Sequence, residues 1–181
     1  YASGSECVVL GYDPDDTEGT SVWEELASVD LSGGAGDDLD VTFTAKKYLF
    51  LQWYCDATGG AIGIDMTFNG DTGTNYTRRV SPNGGSDATG TSMNEWNLNP
   101  IGTNTVPTYG QAFIINKSDQ EKLGIVEHMS QGTAGAGTAP QRIDGVYKWA
   151  NTSAQINDID IHNDGAGSYN TTSFLKVWGF D

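Results

Sequence analysis

Apolar and polar side chains alternate along most of this chain, and the longest such stretch begins at Tyr48. From Tyr48 to Cys55, apolar residues occupy both alternating faces, and only Gln52 interrupts the second face. A strand with one face in water does not carry this pattern. We therefore predict that Tyr48–Cys55 is a central strand covered on both faces.

A second alternation follows after a short loop that contains Gly59-Gly60. Its apolar members are Ile62, Ile64, Met66 and Phe68. Two alternating runs joined by a short glycine-rich loop are typical of a β-hairpin. The sequence thus predicts a hairpin over residues 48–69 at the centre of the fold, with Trp53 and Phe68 buried.

Shorter alternations predict the remaining strands, and glycine-rich segments predict the loops between them. We expect strands at residues 27–31, 39–45, 76–80, 93–98, 112–116, 122–130, 145–150, 156–162 and 174–180. Residues 81–91 and 131–140 are predicted loops, and Trp23–Leu26 is the only predicted helical turn. About ten strands at short, regular spacing, without βαβ crossovers, indicate an all-β fold with little or no helix, either a sandwich or a barrel.

The length of 181 residues predicts one domain, residues 1–181, in which residues 1–22 form an extended N-terminal arm. The chain has a net charge of −15 and no cluster of Lys or Arg. Both features argue against binding to nucleic acid or to an anionic membrane. No run of eighteen apolar residues is present. The chain begins at Tyr1 rather than Met, so we expect processing or trimming.

Cys7 and Cys55 are the only cysteines, and two readings of them stay open. The two could form a disulfide, or Cys55 could be a small apolar residue at the end of a buried strand. Four Asn-x-Ser/Thr triplets, at Asn75, Asn116, Asn151 and Asn170, matter only in a glycosylating compartment.

Catalytic motifs are scarce, and we predict that the protein is not an enzyme. There is no Gly-x-Ser-x-Gly elbow and no His-Glu-x-x-His helix. Asp158 and Asp160 share one face of a predicted strand, where two carboxylates could flank a sugar. A solvated strand face explains the same pair, and we prefer that explanation.

The polar run from Asn69 to Asn75 allows two interpretations. Oxygens of Asn69, Asp71 and Asn75 could bind Ca²⁺, the only cofactor that the sequence suggests. Asn-Gly and Asp-Thr-Gly are also turn formers whose side chains bond to nearby backbone. We favour the turn, with no metal site, and expect Asp71→Asn to have little effect because an amide oxygen can accept the same hydrogen bonds.

Three motifs together resemble those of jelly-roll structural proteins of tailed bacteriophages and related viruses. They are Phe68-Asn-Gly-Asp-Thr-Gly-Thr-Asn-Tyr76, a Trp149 that precedes Ile156-x-x-Ile159-x-Ile161, and a closing strand that ends in Trp178-Gly179. The resemblance covers about residues 23–179. Thr172-Ser173 replace the Gly-Ser that the family often has before its last strand, and the segment with Cys7 has no counterpart.

The resemblance implies an antiparallel β-sandwich of jelly-roll type and a structural role at the virion surface. The family's head-decoration, head-fibre and tail-fibre proteins assemble with copies of themselves and with other virion proteins, and some attach to a host glycan or receptor. Two alternatives remain: a secreted carbohydrate-binding module that works as a monomer, and a cell-surface filament subunit. A glycan hydrolase is a weaker third.

Overall fold

The computed structural model describes residues 22–99 and 105–181, and the described chain contains fourteen strands and no helix. In chain order they are β1 Glu24–Asp30, β2 Asp38–Thr42, β3 Tyr48–Cys55, β4 Ala57–Thr58, β5 Asp65–Phe68, β6 Tyr76–Pro82, β7 Ala88–Met93, β8 Trp96–Asn97, β9 Thr108–Ile115, β10 Lys122–Ser130, β11 Gln141–Trp149, β12 Asp158–His162, β13 Ser168–Tyr169 and β14 Phe174–Phe180.

Two antiparallel sheets pack face to face as a β-sandwich. The larger has eight strands in the order β1-β14-β3-β9-β10-β11-β6-β7, and the smaller has four in the order β2-β12-β5-β8. Strands β4 and β13 form a separate two-stranded ladder. The predicted all-β, antiparallel sandwich without helix is confirmed.

The strand order is that of a jelly roll with two inserted hairpins. Without β6–β7, β10–β11 and the short β4 and β13, eight strands remain. Numbered along the chain, they form two four-stranded sheets with the orders 1-8-3-6 and 2-7-4-5. This is the arrangement of two Greek keys that defines a jelly roll. The inserted hairpins extend only the first of these sheets, from four strands to eight.

The core lies between the sheets, where alternate residues of each strand point inward. Strand β3 contributes Leu49, Leu51, Trp53 and Cys55, all fully buried. Gly110 lies directly opposite Trp53, and a Cβ atom there would stand only 2.1 Å from the indole ring. The absence of a side chain at Gly110 therefore makes the space that Trp53 fills. The predicted burial of Trp53 and Phe68 is confirmed.

The predicted hairpin over residues 48–69 is wrong. Strand β3 pairs with β14 and β9 in the large sheet, whereas β5 pairs with β12 and β8 in the small one. The glycine-rich segment after Asp56 thus carries the chain from one sheet to the other. Alternation shows which face of a strand is apolar, but it does not identify the neighbouring strand.

Three smaller predictions also need correction. Trp23–Leu26 is not a helical turn, because β1 begins at Glu24 and a register shift between Glu25 and Ala27 interrupts its alternation. Residues 81–91 are not all loop, because polar β7 pairs with β6 there. Strand β3 is buried on one face only, and the side chains of its second face are partly exposed.

Several predicted bounds agree with the structure, including those of β3, β10 and β14. Cys55 is fully buried, but Cys7 and the predicted N-terminal arm lie outside the described residues except for Val22. Within residues 22–99 and 105–181, no helix has the length and apolar character needed to cross a membrane.

Candidate functional site

Two rows of apolar side chains cross the outer face of the eight-stranded sheet. Because residues in register lie side by side on adjacent strands, each row can be followed from strand to strand. The first row consists of Trp178, Phe50, Phe113, Ile125 and Val146. The second consists of Phe180, Tyr48, Ile115 and Leu123. We call these two rows, together with Trp23 at one end and Arg79 and Lys148 at the other, the apolar groove.

The middle of the groove is open to solvent. Phe113, Ile115, Leu123, Ile125 and Val146 are five of the seven large hydrophobic residues that are exposed in the described chain. Ile125, at the centre, is 61% exposed. The outer face of an antiparallel sheet normally carries polar residues, so this concentration of apolar side chains calls for a specific explanation.

Aromatic rings close one end of the groove. The ring centroid of Trp23 lies 4.5 Å from that of Phe180, 6.2 Å from that of Phe50 and 6.1 Å from that of Phe113, each edge to face. Phe50 also stacks on Phe113, with ring centroids 4.6 Å apart. These contacts hold the rings of the aromatic end against one another.

Positive charges mark the other end. Arg79 is in register with Val146, and Lys148 is in register with Leu123. Arg79 makes an exposed ion pair of 3.3 Å with Asp87, and Lys148 makes one of 3.0 Å with Glu121. No Asp or Glu of the described chain lines the groove itself, although the whole chain carries a net charge of −15.

The groove ends sharply along the strands. The next row toward the opposite edge consists of Lys176, Gln52, Gln111, Glu127 and Asp144. Gln111 donates a hydrogen bond of 2.6 Å from Nε2 to Oε2 of Glu127. The groove therefore occupies two adjacent rows and encloses about 850 Å³, and the polar row separates it from a further row of Phe174, Tyr54, Tyr109 and Met129. Such a groove can bind an apolar group that carries an anionic end.

The outer face of the four-stranded sheet has the opposite character. One row across it reads Asp38, His162, Asp65 and Asn97, and the next reads Asp40, Asp160 and Thr67. His162 bridges two carboxylates, with Nε2 3.1 Å from Oε2 of Glu95 and Nδ1 3.3 Å from Oδ2 of Asp160. This face carries one histidine among many carboxylates.

The charges on this face shift the pKa values of their neighbours. Hydrogen bonding to Asp160 raises the pKa of His162 to about 9, although burial opposes the shift. Burial, reinforced by Glu95 and Asp164, raises the pKa of Asp65 to about 7. Asp65 is fully buried: its Oδ1 accepts a hydrogen bond of 2.7 Å from Nδ2 of Asn97, and its Oδ2 has no hydrogen-bond partner within the described chain. Because the pKa of His162 lies above 7, its imidazole is protonated at neutral pH.

The carboxylates that the sequence pointed to for catalysis lie on this face. Asp158 and Asp160 do share one side of β12, since Ile159 and Ile161 of the same strand are buried in the core. Burial together with Asp40 and Asp160 raises the pKa of Asp158. Asp160 is engaged with His162. The pair forms part of a charged surface that extends over two strands.

The polar run after β5 forms a hydrogen-bonded turn around Asp71. Oδ1 of Asp71 accepts a hydrogen bond of 2.9 Å from the backbone N–H of Gly73, and Oδ2 accepts one of 2.7 Å from Nε1 of Trp149. Nδ2 of Asn75 lies within 3.1 Å of both oxygens. Burial alone would raise the pKa of Asp71, but the hydrogen bonds from Trp149, Asn75 and Gly73 outweigh it and lower the pKa.

Asn69 takes part in a different contact. Its Oδ1 accepts hydrogen bonds of 3.0 Å and 3.2 Å from the backbone N–H groups of Asn157 and Asp158, and its Nδ2 donates one of 2.8 Å to the carbonyl oxygen of Gln155. The three residues proposed as Ca²⁺ ligands thus belong to two hydrogen-bond networks. Nowhere in the described ranges do three or more His, Cys, Asp or Glu side chains cluster in a way that could hold a metal ion.

Sequence reasoning did not identify the groove, although part of its signal was present. Residues 112–115 and 123–126 carry no polar side chain on either alternating face, and residues 48–55 carry only Gln52. That these faces align in two rows depends on the strand order, which the sequence does not show. No protein-family model matches this chain, and no curated protein matches it.

Proposed function

We propose that this protein is a non-enzymatic structural subunit of a virus particle, of the capsid-decoration or fibre type. It acts at the virion surface, where it assembles with copies of itself and with other virion proteins, or contributes to host attachment. The observation that carries this proposal is the apolar groove on the outer face of the eight-stranded sheet. The jelly-roll strand order and the sequence motifs are compatible with it.

An exposed apolar surface of this kind is typical of a protein that functions by being bound. Monomeric soluble proteins rarely leave contiguous apolar patches uncovered, and larger ones mark interaction sites. Interface centres are depleted of charged residues and enriched in aromatic ones, which describes both rows of the groove. When a partner covers Ile125 and its neighbours, apolar surface is removed from water. Each Å² of that surface contributes about 25 cal/mol of favourable free energy.

The distribution of charge favours association through this face alone. The chain's acidic surplus repels like-charged subunits over a distance of about a Debye length. The groove has no lining carboxylate, whereas the opposite outer face is crowded with them. Electrostatic repulsion between copies is therefore weakest at the groove, which favours assembly through this face.

A carbohydrate-binding module is the second candidate, and the aromatic end favours it. Trp23, Tyr48 and Trp178 are partly exposed, and aromatic rings in such positions can stack on sugars. The aliphatic centre, with Leu123, Ile125 and Val146, suits a protein surface better than a polar glycan. A cell-surface filament subunit would use the same surface as a virion subunit.

Sedimentation velocity over a wide concentration range tests the proposal. We expect the wild type to form defined oligomers and Ile125→Glu to remain monomeric, because a buried unpaired charge is costly. Gln111→Glu is the matched control, since it adds the same charge in the polar row of the adjacent strand. It should associate like the wild type.

Two results would contradict the proposal. One is a wild type that stays monomeric at every concentration and binds a polysaccharide through Trp23 or Trp178. The other is turnover of a polysaccharide or peptide that Asp158→Asn abolishes while circular dichroism shows an intact fold.

A further inference from the structure

We propose that the apolar groove of one copy binds residues 7–16 of a neighbouring copy. This inference rests on the proposed function, because it names the partner that covers the groove during assembly. Residues 7–16 lie outside the described residues.

The dimensions of the groove favour a single peptide segment over a second groove. Two rows on one face lie about 7 Å apart, because alternate residues of a strand share a face. With about 4.8 Å between strands, the four steps from β14 to β11 span roughly 19 Å, and one more step reaches Arg79 on β6. A groove of this length and width matches a single extended peptide segment.

The sequence of residues 7–16 matches the groove from end to end. It reads Cys-Val-Val-Leu-Gly-Tyr-Asp-Pro-Asp-Asp, which is an apolar run followed by three carboxylates. Eight of these residues in extended conformation span at most roughly 26–29 Å, which is enough to reach from β14 to Arg79 on β6. Val8, Val9, Leu10 and Tyr12 can therefore cover the apolar rows while the carboxylates reach the positively charged end.

The charges of the two partners are complementary. Arg79 and Lys148 stand at one end of the groove, and their present partners, Asp87 and Glu121, form exposed ion pairs with them. Exposed pairs of this kind contribute about 0–1 kcal/mol and are readily exchanged. Asp13, Asp15 and Asp16 of an incoming segment can share or replace them.

The described chain begins inside the groove, with Val22 exposed and Trp23 packed at the aromatic end. The residues just before it, Thr17-Glu-Gly-Thr-Ser21, are polar and do not suit the apolar rows. In the proposed assembly, this polar connection joins the subunit to a segment that occupies the groove of a neighbouring copy.

A mixing experiment with two full-length variants tests the inference. The first, Val9→Asp with Leu10→Asp, alters the segment, and the second, Ile125→Glu, alters the groove. Each should remain monomeric alone in native mass spectrometry. Mixed in equal amounts, they should form heterodimers, because the intact segment of the groove variant can bind the intact groove of the segment variant.

Controls keep the result specific. Thr17→Asp with Thr20→Asp makes the same charge change in the connection and should assemble like the wild type. Leu123→Glu provides a second groove variant should Ile125→Glu fail to fold, as judged by circular dichroism.

Three outcomes would overturn the inference, and they separate its failure from that of the proposed function. If the segment variant assembles while both groove variants do not, another surface fills the groove and the proposed function stands. If neither change affects assembly, both fall. If the wild type is monomeric and only the segment variant binds a hydrophobic dye at the groove, the segment binds within its own copy.

Discussion

The two sheets of this sandwich share one core but present opposite outer faces. The outer face of the eight-stranded sheet carries two apolar rows with Phe113 and Ile125 exposed at the centre. The outer face of the four-stranded sheet carries Asp38, Asp40 and Asp160 around His162. Both sheets contribute an apolar inner face to the core, so the difference lies in the side chains of the outer faces.

The difference indicates that the two sheets have separate tasks. A charged outer face remains in water and keeps acidic subunits apart, whereas an apolar outer face gains free energy when a partner covers it. The inserted strands β10, β11 and β6 supply Leu123, Ile125, Val146 and Arg79. The insertions therefore extend the groove with its exposed aliphatic centre and its charged end, whereas the aromatic end belongs to β14, β3 and β9 of the jelly roll.

The largest predicted effect separates the inner face of β3 from its outer face. Trp53→Ala removes a fully buried indole and leaves a cavity, so we expect it to lower the free energy of unfolding by about 3–5 kcal/mol. Phe50→Ala, on the outer face of the same strand, should cost only about 1 kcal/mol, since the space it leaves is open to water. Urea denaturation measures both.

A loss below about 1 kcal/mol for Trp53→Ala would contradict the position of β3 in the core. An equal loss for both variants would show that the outer aromatic residues serve the fold rather than a partner. That result would remove the contrast between the two outer faces as an argument about function.

The inner faces could be predicted from the sequence because burial imposes a strict period of two on each strand. Strands β10 and β14 were predicted with their observed bounds for this reason. The hairpin prediction failed because the segment after Asp56 is short enough for either a turn or a crossing between sheets. Strand β7 was missed because its mostly exposed polar residues follow no apolar period.

The outer faces could not be predicted in the same way. The groove requires Phe50, Phe113 and Ile125 to lie side by side, and they come from strands that are distant in sequence. The contact between His162 and Glu95 has the same origin. The turn at Asp71 was predictable because its Asn75 and Gly73 contacts are local, but its hydrogen bond from Trp149 was not.

A smaller effect is expected at Asp71, which ties the turn after β5 to Trp149 of the other sheet. Both carboxylate oxygens accept hydrogen bonds, so the expectation from sequence that Asp71→Asn has little effect must be revised. An amide would place its NH₂ group against either Nε1 of Trp149 or the backbone N–H of Gly73, and in both orientations near Nδ2 of Asn75. We expect a loss of about 2 kcal/mol in the free energy of unfolding, measured by urea denaturation.

Asp87→Asn is the matched control, because Asp87 is exposed and paired only with Arg79. It should change the free energy of unfolding by less than about 1 kcal/mol. A chelator should leave the melting temperature of both variants and of the wild type unchanged. A Ca²⁺-dependent rise in melting temperature that disappears in Asp71→Asn would establish the metal site and disprove the turn as the sole role of Asp71.

The smallest effect concerns the charged outer face and depends on pH. His162 has a pKa of about 9 in the folded protein, above its ordinary value of 6.5, so folding favours its protonated form. This contribution to stability is fully present below pH 6.5 and is lost as the pH rises through 9. Since His162 is partly exposed, solvent screening reduces the change to about 1 kcal/mol.

Melting temperatures between pH 6.5 and 9 should therefore fall in the wild type and fall less in His162→Gln. Asp65, whose pKa is raised from 3.8 to about 7, contributes a separate loss of stability that is nearly complete once the pH exceeds 7, so Asp65→Asn should flatten the profile below pH 7 and change it little from pH 7 to 9. His128→Gln is the control, because burial lowers the pKa of His128 to about 4 and leaves it neutral throughout this range. A wild-type profile that is flat, or one that His128→Gln flattens as much as His162→Gln does, would show that the carboxylates around His162 do not hold its proton.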